Sequence, residues 1–136
     1  MIKSIHHIGI ASKNIARDVL FFKSLGYESQ GTLREDLQAQ IKVQFMHGKG
    51  QPNLELVENL EKNGPVTPHL QAKRKIFHFA YECDDIENDA AKFKEENTGI
   101  FLVPITYVDD ENSDIKSWCY IACRNLMIVE LLELRR

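Results

Sequence analysis

The sequence predicts an α+β fold in which two tandem βαβββ modules build a mixed sheet. Three observations support this prediction. The order strand, helix, three strands occurs twice along the chain, the two copies share identical residues at a fixed offset, and each copy begins on a strand histidine and ends on a strand glutamate. A chain of 136 residues is the size of one ordinary domain. We therefore expect a single domain over residues 1–136.

The first module is predicted to span about residues 1–60. Alternating polarity over 4–11 indicates a strand. Ser12 or Asn14 can cap the next helix, whose apolar face is formed by Ile15, Val19 and Phe22 and which ends before Gly26. Three further strands are expected near 27–33, 39–47 and 53–58.

The second module is predicted over about residues 76–136, after a linker of about 61–75 that contains a helical turn or two. A strand at 76–83 precedes a helix near 85–96 with Ile86, Ala90 and Phe93 facing inward. The remaining strands are expected near 100–108, 115–123 and 126–133.

Internal duplication is visible when residues 7–23 are placed on residues 78–94, an offset of 71. Five of 17 positions are then identical, where chance at ordinary composition gives about one. The pairs are His7/His78, Ile15/Ile86, Asp18/Asp89, Phe22/Phe93 and Lys23/Lys94. The copies also end alike, because "LELVE" at 54–58 and "VELLE" at 129–133 pair Glu55 with Glu130 at an offset of 75.

The duplication distinguishes the two adjacent histidines of the first strand. His7 aligns with His78, whereas His6 aligns with Phe77. Because strand side chains alternate between faces, His7 shares its face with the small residues Gly9 and Ala11. The opposite face, which includes His6, carries the large side chains that we expect to pack under the helix.

The paired histidines and glutamates predict a metal-centred cleft. A buried strand glutamate such as Glu55 or Glu130 costs free energy unless its charge is compensated. Together with His7 and His78, these carboxylates supply two nitrogen and two oxygen donors, which suit Ni, Co, Zn, Mn or Fe(II). Glu58 and Glu133 face the other way and are expected to be solvated.

Composition and charge exclude several classes of function. A net charge of −3 provides no basic surface for nucleic acid, and no apolar run approaches the roughly 20 residues of a transmembrane helix. The N-terminus shows no signal-peptide pattern. Cys119 and Cys123 lie roughly 13 Å apart along a strand, so we interpret them as core thiols rather than zinc ligands. We expect a reduced, cytoplasmic protein.

The stretches "HHIGIASKNIARDVLFFKSLGY", "NLELVENL", "FHFAYECDDIE" and "MIVELLE" resemble the vicinal oxygen chelate superfamily over nearly the whole chain. The resemblance implies that the modules form a curved sheet around a divalent metal. The metal ligands of its lyases and epimerases, one per corresponding strand, fall on His7, Glu55, His78 and Glu130.

Two enzyme branches are the most similar. The first is glyoxalase I (lactoylglutathione lyase), which isomerises the glutathione hemithioacetal of methylglyoxal, and the second is methylmalonyl-CoA epimerase. Both move a proton next to a carbonyl through an enediolate or enolate. The resemblance implies that Glu130 is the base, with Glu55 as its partner. The leading interpretation is a metal-dependent lyase or isomerase of glyoxalase I type, with the epimerase close behind.

Substrate-binding positions divide between these branches. Asn59 and Arg74 match glyoxalase positions, whereas Ala11 stands where glyoxalases carry a glutathione-binding arginine and resembles the epimerases. The implied partner is a small molecule, either a thiol adduct or an acyl-CoA thioester, and the implied assembly is a homodimer. Two other interpretations stay open, a metal-free binding or resistance protein and a ring-cleaving Fe(II) dioxygenase.

Overall fold

The computed structural model describes residues 1–136 and confirms the α+β class. Eight strands form a mixed sheet that is accompanied by three helices. None of these helices is both long enough and apolar enough to cross a bilayer. In chain order the elements are β1 (Ile2–Ser12), α1 (Ile15–Lys23), β2 (Tyr27–Asp36), β3 (Ile41–Gly48), β4 (Asn53–Asn59), α2 (Thr67–Gln71), β5 (Ile76–Cys83), α3 (Ile86–Glu96), β6 (Ile100–Tyr107), β7 (Ile115–Ala122) and β8 (Ile128–Leu134).

The largest departure from the predicted bounds is at β2 and β3. Strand β2 continues three residues beyond the predicted 33, and β3 begins at Ile41 rather than at 39. Every residue of β2 after Tyr27 is exposed, so no alternation of polarity marks its end. The turn that follows is held by Asp36, whose carboxylate accepts a hydrogen bond from the Ala39 amide.

The chain forms two compact units. One unit is continuous from His7 to Phe77, and the other combines Met1–His6 with His78–Arg136. Strand β1 therefore contributes its first residues to one unit and its remainder, beginning at His7, to the other.

In the unit His7–Phe77 the strand order is β2-β3-β4-β1. Strand β1 runs parallel to β4, and the other neighbouring pairs are antiparallel. The side chain of Asn14 caps α1 by accepting a hydrogen bond from the Arg17 amide. The predicted apolar face of α1 packs on one side of these strands, in a core of Ile8, Ile10, Ile15, Val19, Phe22, Tyr27, Met46, Leu54 and Leu56.

The unit containing His78–Arg136 repeats this arrangement with the order β5-β8-β7-β6. Strand β5 is parallel to β8, and β8-β7-β6 are antiparallel. Asp85 caps α3 by accepting from the Asn88 amide. The core under α3 contains Tyr81, Cys83, Ile86, Ala90, Phe93, Cys119, Ile121, Val129 and Leu131. The duplicated order predicted from the sequence is therefore present in the fold.

The segment between the modules contains the short helix α2. Val66, at its beginning, is buried against Ala11 and Val57, and Leu70 packs beside them. The predicted linker is thus attached to the first unit by a small apolar cluster.

Candidate metal centre

The first predicted ligand pair lies on adjacent parallel strands. Glu55 of β4 is in register with Gly9 of β1, two residues after His7. His7 is 1% exposed, and its Nε2 atom lies 3.7 Å from Oε1 of Glu55. The alternation of side chains along β1 turns His7 away from the α1 core and toward this carboxylate.

The second pair has the equivalent arrangement in the other unit. Glu130 of β8 is in register with Ala80 of β5, two residues after His78. Both side chains are buried, with exposures of 1% for His78 and 6% for Glu130. His78 Nε2 lies 3.2 Å from Oε2 of Glu130. Each unit therefore buries one imidazole beside one carboxylate.

An aromatic ring from a third strand contacts each histidine. The Phe45 ring meets His7 edge-on, with centroids 5.5 Å apart, and Tyr120 lies 5.1 Å from His78. Phe45 faces Glu55 across β3 and β4, as Tyr120 faces Glu130 across β7 and β8. The sequence interpretation missed this pair, although the offset of 75 between Phe45 and Tyr120 equals that between the glutamates.

The donors fit a divalent metal. His7, His78 and Glu130 are buried groups of the kind that could hold a metal ion. A carboxylate as buried as Glu130 is costly without a compensating positive charge. Imidazole nitrogen and carboxylate oxygen are ligands that Ni, Co, Zn, Mn and Fe(II) all accept.

Comparison with known families decides the identity of this fold. The sequence profile of the glyoxalase/bleomycin resistance protein/dioxygenase superfamily matches residues 6–116, which is most of the chain. The chain belongs to this superfamily. The predicted relationship to the vicinal oxygen chelate proteins is thereby confirmed. No curated protein matches the sequence significantly.

Solved structures share the fold of this chain at low sequence identity. Methylmalonyl-CoA epimerase from Mycobacterium tuberculosis has a TM-score of 0.80 at 13% identity, covering 99% of this chain and 90% of its own. A variant of the Streptomyces coelicolor methylmalonyl-CoA epimerase in complex with 2-nitronate-propionyl-CoA has a TM-score of 0.74 at 18% identity, with both chains fully covered. A hypothetical protein from Bacillus halodurans has a TM-score of 0.75 at 21% identity, covering 98% of this chain and 95% of its own.

The superfamily resemblance also singles out Ala11, Asn59 and Arg74 as possible substrate-binding positions. Two of them are buried and one is exposed. Ala11 is fully buried against Val57 and Val66. Asn59 is also buried, and its amide accepts from the Val66 backbone and donates to Thr67 Oγ1 at 3.0 Å. Arg74 is exposed just after α2. Asn59 thus already serves to hold the start of α2, and its contact with a substrate stays a prediction, as does that of Arg74.

The expectation that Glu58 and Glu133 are merely solvated is wrong. Glu58 accepts a hydrogen bond of 2.7 Å from the Ile15 amide and pairs with Lys42 at 3.0 Å. The corresponding Glu133 accepts from the Ile86 amide at 3.2 Å. Each glutamate therefore satisfies a free amide at the first turn of α1 or α3, where a negative charge is also favoured by the helix dipole.

Glu133 carries a shifted pKa that reflects this role. The hydrogen bond from Lys116, at 2.7 Å, lowers the pKa of Glu133 from its ordinary 4.5, burial opposes this, and the Ile86 amide lowers it further. The carboxylate is therefore ionised throughout the neutral range. The sequence signal for both capping glutamates was their repeat at the ends of "LELVE" and "VELLE".

Proposed function

We propose that this protein is a metal-dependent lyase or isomerase that moves a proton on the carbon next to a carbonyl group. The observation that carries the proposal is the repeated pair of a buried histidine beside a glutamate, with the imidazole Nε2 3.7 Å from the carboxylate oxygen in one unit and 3.2 Å in the other. Two such pairs in a chain of this superfamily supply a complete set of four donors.

In this proposal His7, Glu55, His78 and Glu130 hold one divalent cation, with Ni, Co or Zn favoured over Mn or Fe. The cation, when bound, supplies positive charge for the negative charge that develops on the substrate carbonyl oxygen. The Phe45 and Tyr120 rings, packed on the histidines, restrict the imidazole orientations.

Glu130 is the proposed base. It removes the proton from the substrate carbon. In a glyoxalase reaction Glu130 returns the proton to the neighbouring carbon, whereas in an epimerisation Glu55 donates a proton to the opposite face of the same carbon. The burial of Glu130, with 6% of the residue exposed, keeps bulk water from competing for the proton. Glu55, which is more exposed, with 15% of its side chain accessible, is the second carboxylate of the reaction.

Two substrate classes fit this chemistry, and the surroundings of Ala11 favour an acyl-CoA thioester. Ala11 has no polar atom on its side chain and is fully buried, so this position cannot bind the carboxylate of glutathione. The methylmalonyl-CoA epimerases among the structural neighbours act on such thioesters. The glutathione hemithioacetal of glyoxalase I is the second candidate, supported by the glyoxalase-like Asn59 and Arg74.

A homodimer in the cytoplasm completes the proposal. Size-exclusion chromatography with light scattering should give twice the mass of one 15.7 kDa chain. A monomer at micromolar concentration would contradict this part alone.

Metal binding is tested first. We expect purified protein to contain one divalent ion per chain. Metal at 100 times its dissociation constant should stabilise the fold by about 2.7 kcal/mol. This stabilisation should be lost in His7→Ala and in His78→Ala but kept in the control His47→Ala, because His47 is exposed. Protein that neither contains nor responds to metal would favour the metal-free binding protein instead.

Activity is tested by following deuterium exchange in D2O. Methylmalonyl-CoA and the methylglyoxal–glutathione hemithioacetal are assayed separately with metal-loaded protein. Exchange at the carbon next to the carbonyl of either substrate supports the proposed reaction and selects its branch. Absence of exchange with both would overturn the proposed activity.

A further inference from the structure

Arg34 of β2 lies on the sheet face that carries the first ligand pair. It is in register with Val43 of β3, and Phe45, two residues along β3, is in register with Glu55. Side chains that oppose each other across neighbouring strands share a face. Arg34 therefore projects from the same face as His7 and Glu55, within the unit His7–Phe77.

The guanidinium of Arg34 is positioned over the aromatic ring that packs on His7. Its Cζ atom is 5.9 Å from the Phe45 ring centroid, within the range of a cation–π contact. The same ring meets the His7 imidazole at 5.5 Å. Phe45 thus links the arginine to the proposed metal ligand.

A β-bulge in β2 sets the position of Arg34. Gln30 pairs with Phe45, and Arg34 pairs with Val43. Strand β2 therefore covers four residues where β3 covers two, and its two extra residues form a bulge. Gly31 begins the bulge at φ 70°, a conformation that glycine adopts most readily. Bulges of this kind redirect side chains and are enriched beside active sites.

A buried amide holds the bulge in place. Gln44 is 6% exposed, and its Nε2 donates to the carbonyls of Gly31 at 3.2 Å and of Phe45 at 2.9 Å, with a longer contact to Gln30 at 3.4 Å. A polar side chain is rarely placed in a core unless its hydrogen bonds are needed there. The backbone that carries Arg34 is therefore anchored from the interior.

Arg34 has no acidic partner in the protein. The carboxylate of Asp36, two residues along the same face, accepts instead from the Ala39 amide in the turn. Glu35 is in register with Lys42 on the opposite face. The five N–H donors of the Arg34 guanidinium are thus available to a ligand.

The second unit has no counterpart of this cation. Trp118 lies two residues before Tyr120 on β7, as Val43 lies two residues before Phe45 on β3. The residue that faces Trp118 from β6 is Thr106, which therefore occupies the position equivalent to Arg34. The Thr106 hydroxyl donates to the carbonyl of Pro104 at 2.9 Å. The positive charge is therefore specific to the first unit, although the ligand pair is present in both.

We propose that Arg34 is a substrate-binding residue that recognises an oxyanion, a carboxylate or a phosphate, on the substrate of the proposed reaction. A guanidinium binds either group through two parallel hydrogen bonds. This inference rests on the proposed function and assigns a residue to the anionic group of its substrate. On the acyl-CoA thioester that Ala11 favours, the oxyanion is either a carboxylate on the acyl group or a phosphate of coenzyme A.

Calorimetric titration of the metal-loaded protein tests this inference, with malonate, coenzyme A and pantetheine as probes. Malonate carries carboxylates only, coenzyme A carries phosphates, and pantetheine carries neither. We expect Arg34→Met to weaken binding of one anionic probe by about 10- to 100-fold and to leave pantetheine unchanged. Arg34→Lys should recover part of the affinity, because it keeps the charge but loses the paired hydrogen bonds.

The control is Arg17→Met on the exposed side of α1, which removes the same charge elsewhere. An effect on malonate assigns the carboxylate, and an effect on coenzyme A assigns the phosphate. The inference is overturned if wild-type protein binds neither anion, or if Arg34→Met and Arg17→Met bind both equally well. If anion binding depends on Arg34 but no deuterium exchange occurs, the proposed activity is wrong and this inference stands. If exchange occurs and Arg34→Met has the same KM for it as wild type, this inference is wrong and the proposed activity stands.

Discussion

The two repeats of this chain agree at the candidate ligands and differ one strand further out. In both, a buried histidine lies beside a glutamate from the parallel neighbouring strand and against an aromatic ring from the next. Beyond these groups, the first repeat presents Arg34 and the second presents Thr106. The repeats therefore share the proposed metal donors and differ in the charge of the residue beyond them.

Substitution of Glu55 and of Glu130 tests whether the two histidine–glutamate pairs have the same chemical role. We expect Glu130→Gln to lower the rate of deuterium exchange by about 10²- to 10⁴-fold, because it removes the proposed base. Glu55→Gln should lower this rate less, and mainly through weaker metal binding. Exchange rate and metal content per chain are measured on the same samples, with the exposed Glu61→Gln as control. Glu130→Gln protein with wild-type exchange would remove Glu130 from the base role.

The capping glutamates test whether the repeats are equally important for stability. Glu58→Ala and Glu133→Ala each leave a helix amide without its acceptor. We expect each to lower the free energy of unfolding by about 1–3 kcal/mol, as measured in urea. Glu28→Ala, on an exposed strand position, should have little effect. A large loss in one repeat and none in the other would contradict the equivalence.

The pH dependence of Glu133 sharpens this test. Hydrogen bonding to Lys116 holds its pKa below the ordinary 4.5 in the folded protein. Its stabilising contribution is therefore complete above pH 4.5 and is lost as the pH falls through the folded pKa. We expect wild type and Glu133→Gln to differ in unfolding free energy at pH 7 and to converge once the pH has fallen below the folded pKa of Glu133. A difference independent of pH would exclude the ionised carboxylate as its cause.

The smallest expected effect is a difference in labelling rate among the three cysteines. All three lie in the second repeat, so their labelling reports on that repeat alone. Burial raises the pKa of Cys83 to about 12 and that of Cys119 to about 11. Cys123 is only half-buried. We expect iodoacetamide at pH 8 to label Cys123 first and the other two only after unfolding, as resolved by mass spectrometry. Early labelling of Cys119 would show that the core under α3 opens readily.

Much of the fold was predictable because its signals are local. The apolar faces of α1 and α3 follow helical spacing, and their caps lie one residue before each helix. The choice of His7 over His6 followed from the alignment with His78 and from strand alternation. By contrast, the role of Asn59 depends on Val66 and Thr67, whose positions follow from how the linker folds back on the sheet.

Contacts between distant strands were the main source of error. Glu58 and Glu133 were expected to meet solvent because polarity within one strand does not reveal which helix end lies above it. Phe45 and Tyr120 went unnoticed because facing pairs are set by the register between strands, which the spacing along one strand does not specify.

Periodicity and residue identity along the chain were enough to predict the duplication, the α+β class, and the two histidines and two glutamates that repeat within it. Which side chains meet depends on the tertiary structure. Strand pairing and the bulge in β2 determine that the Phe45 ring packs on His7 and that Arg34 lies over Phe45. A register shift of a single residue would turn these side chains to the opposite face of the sheet.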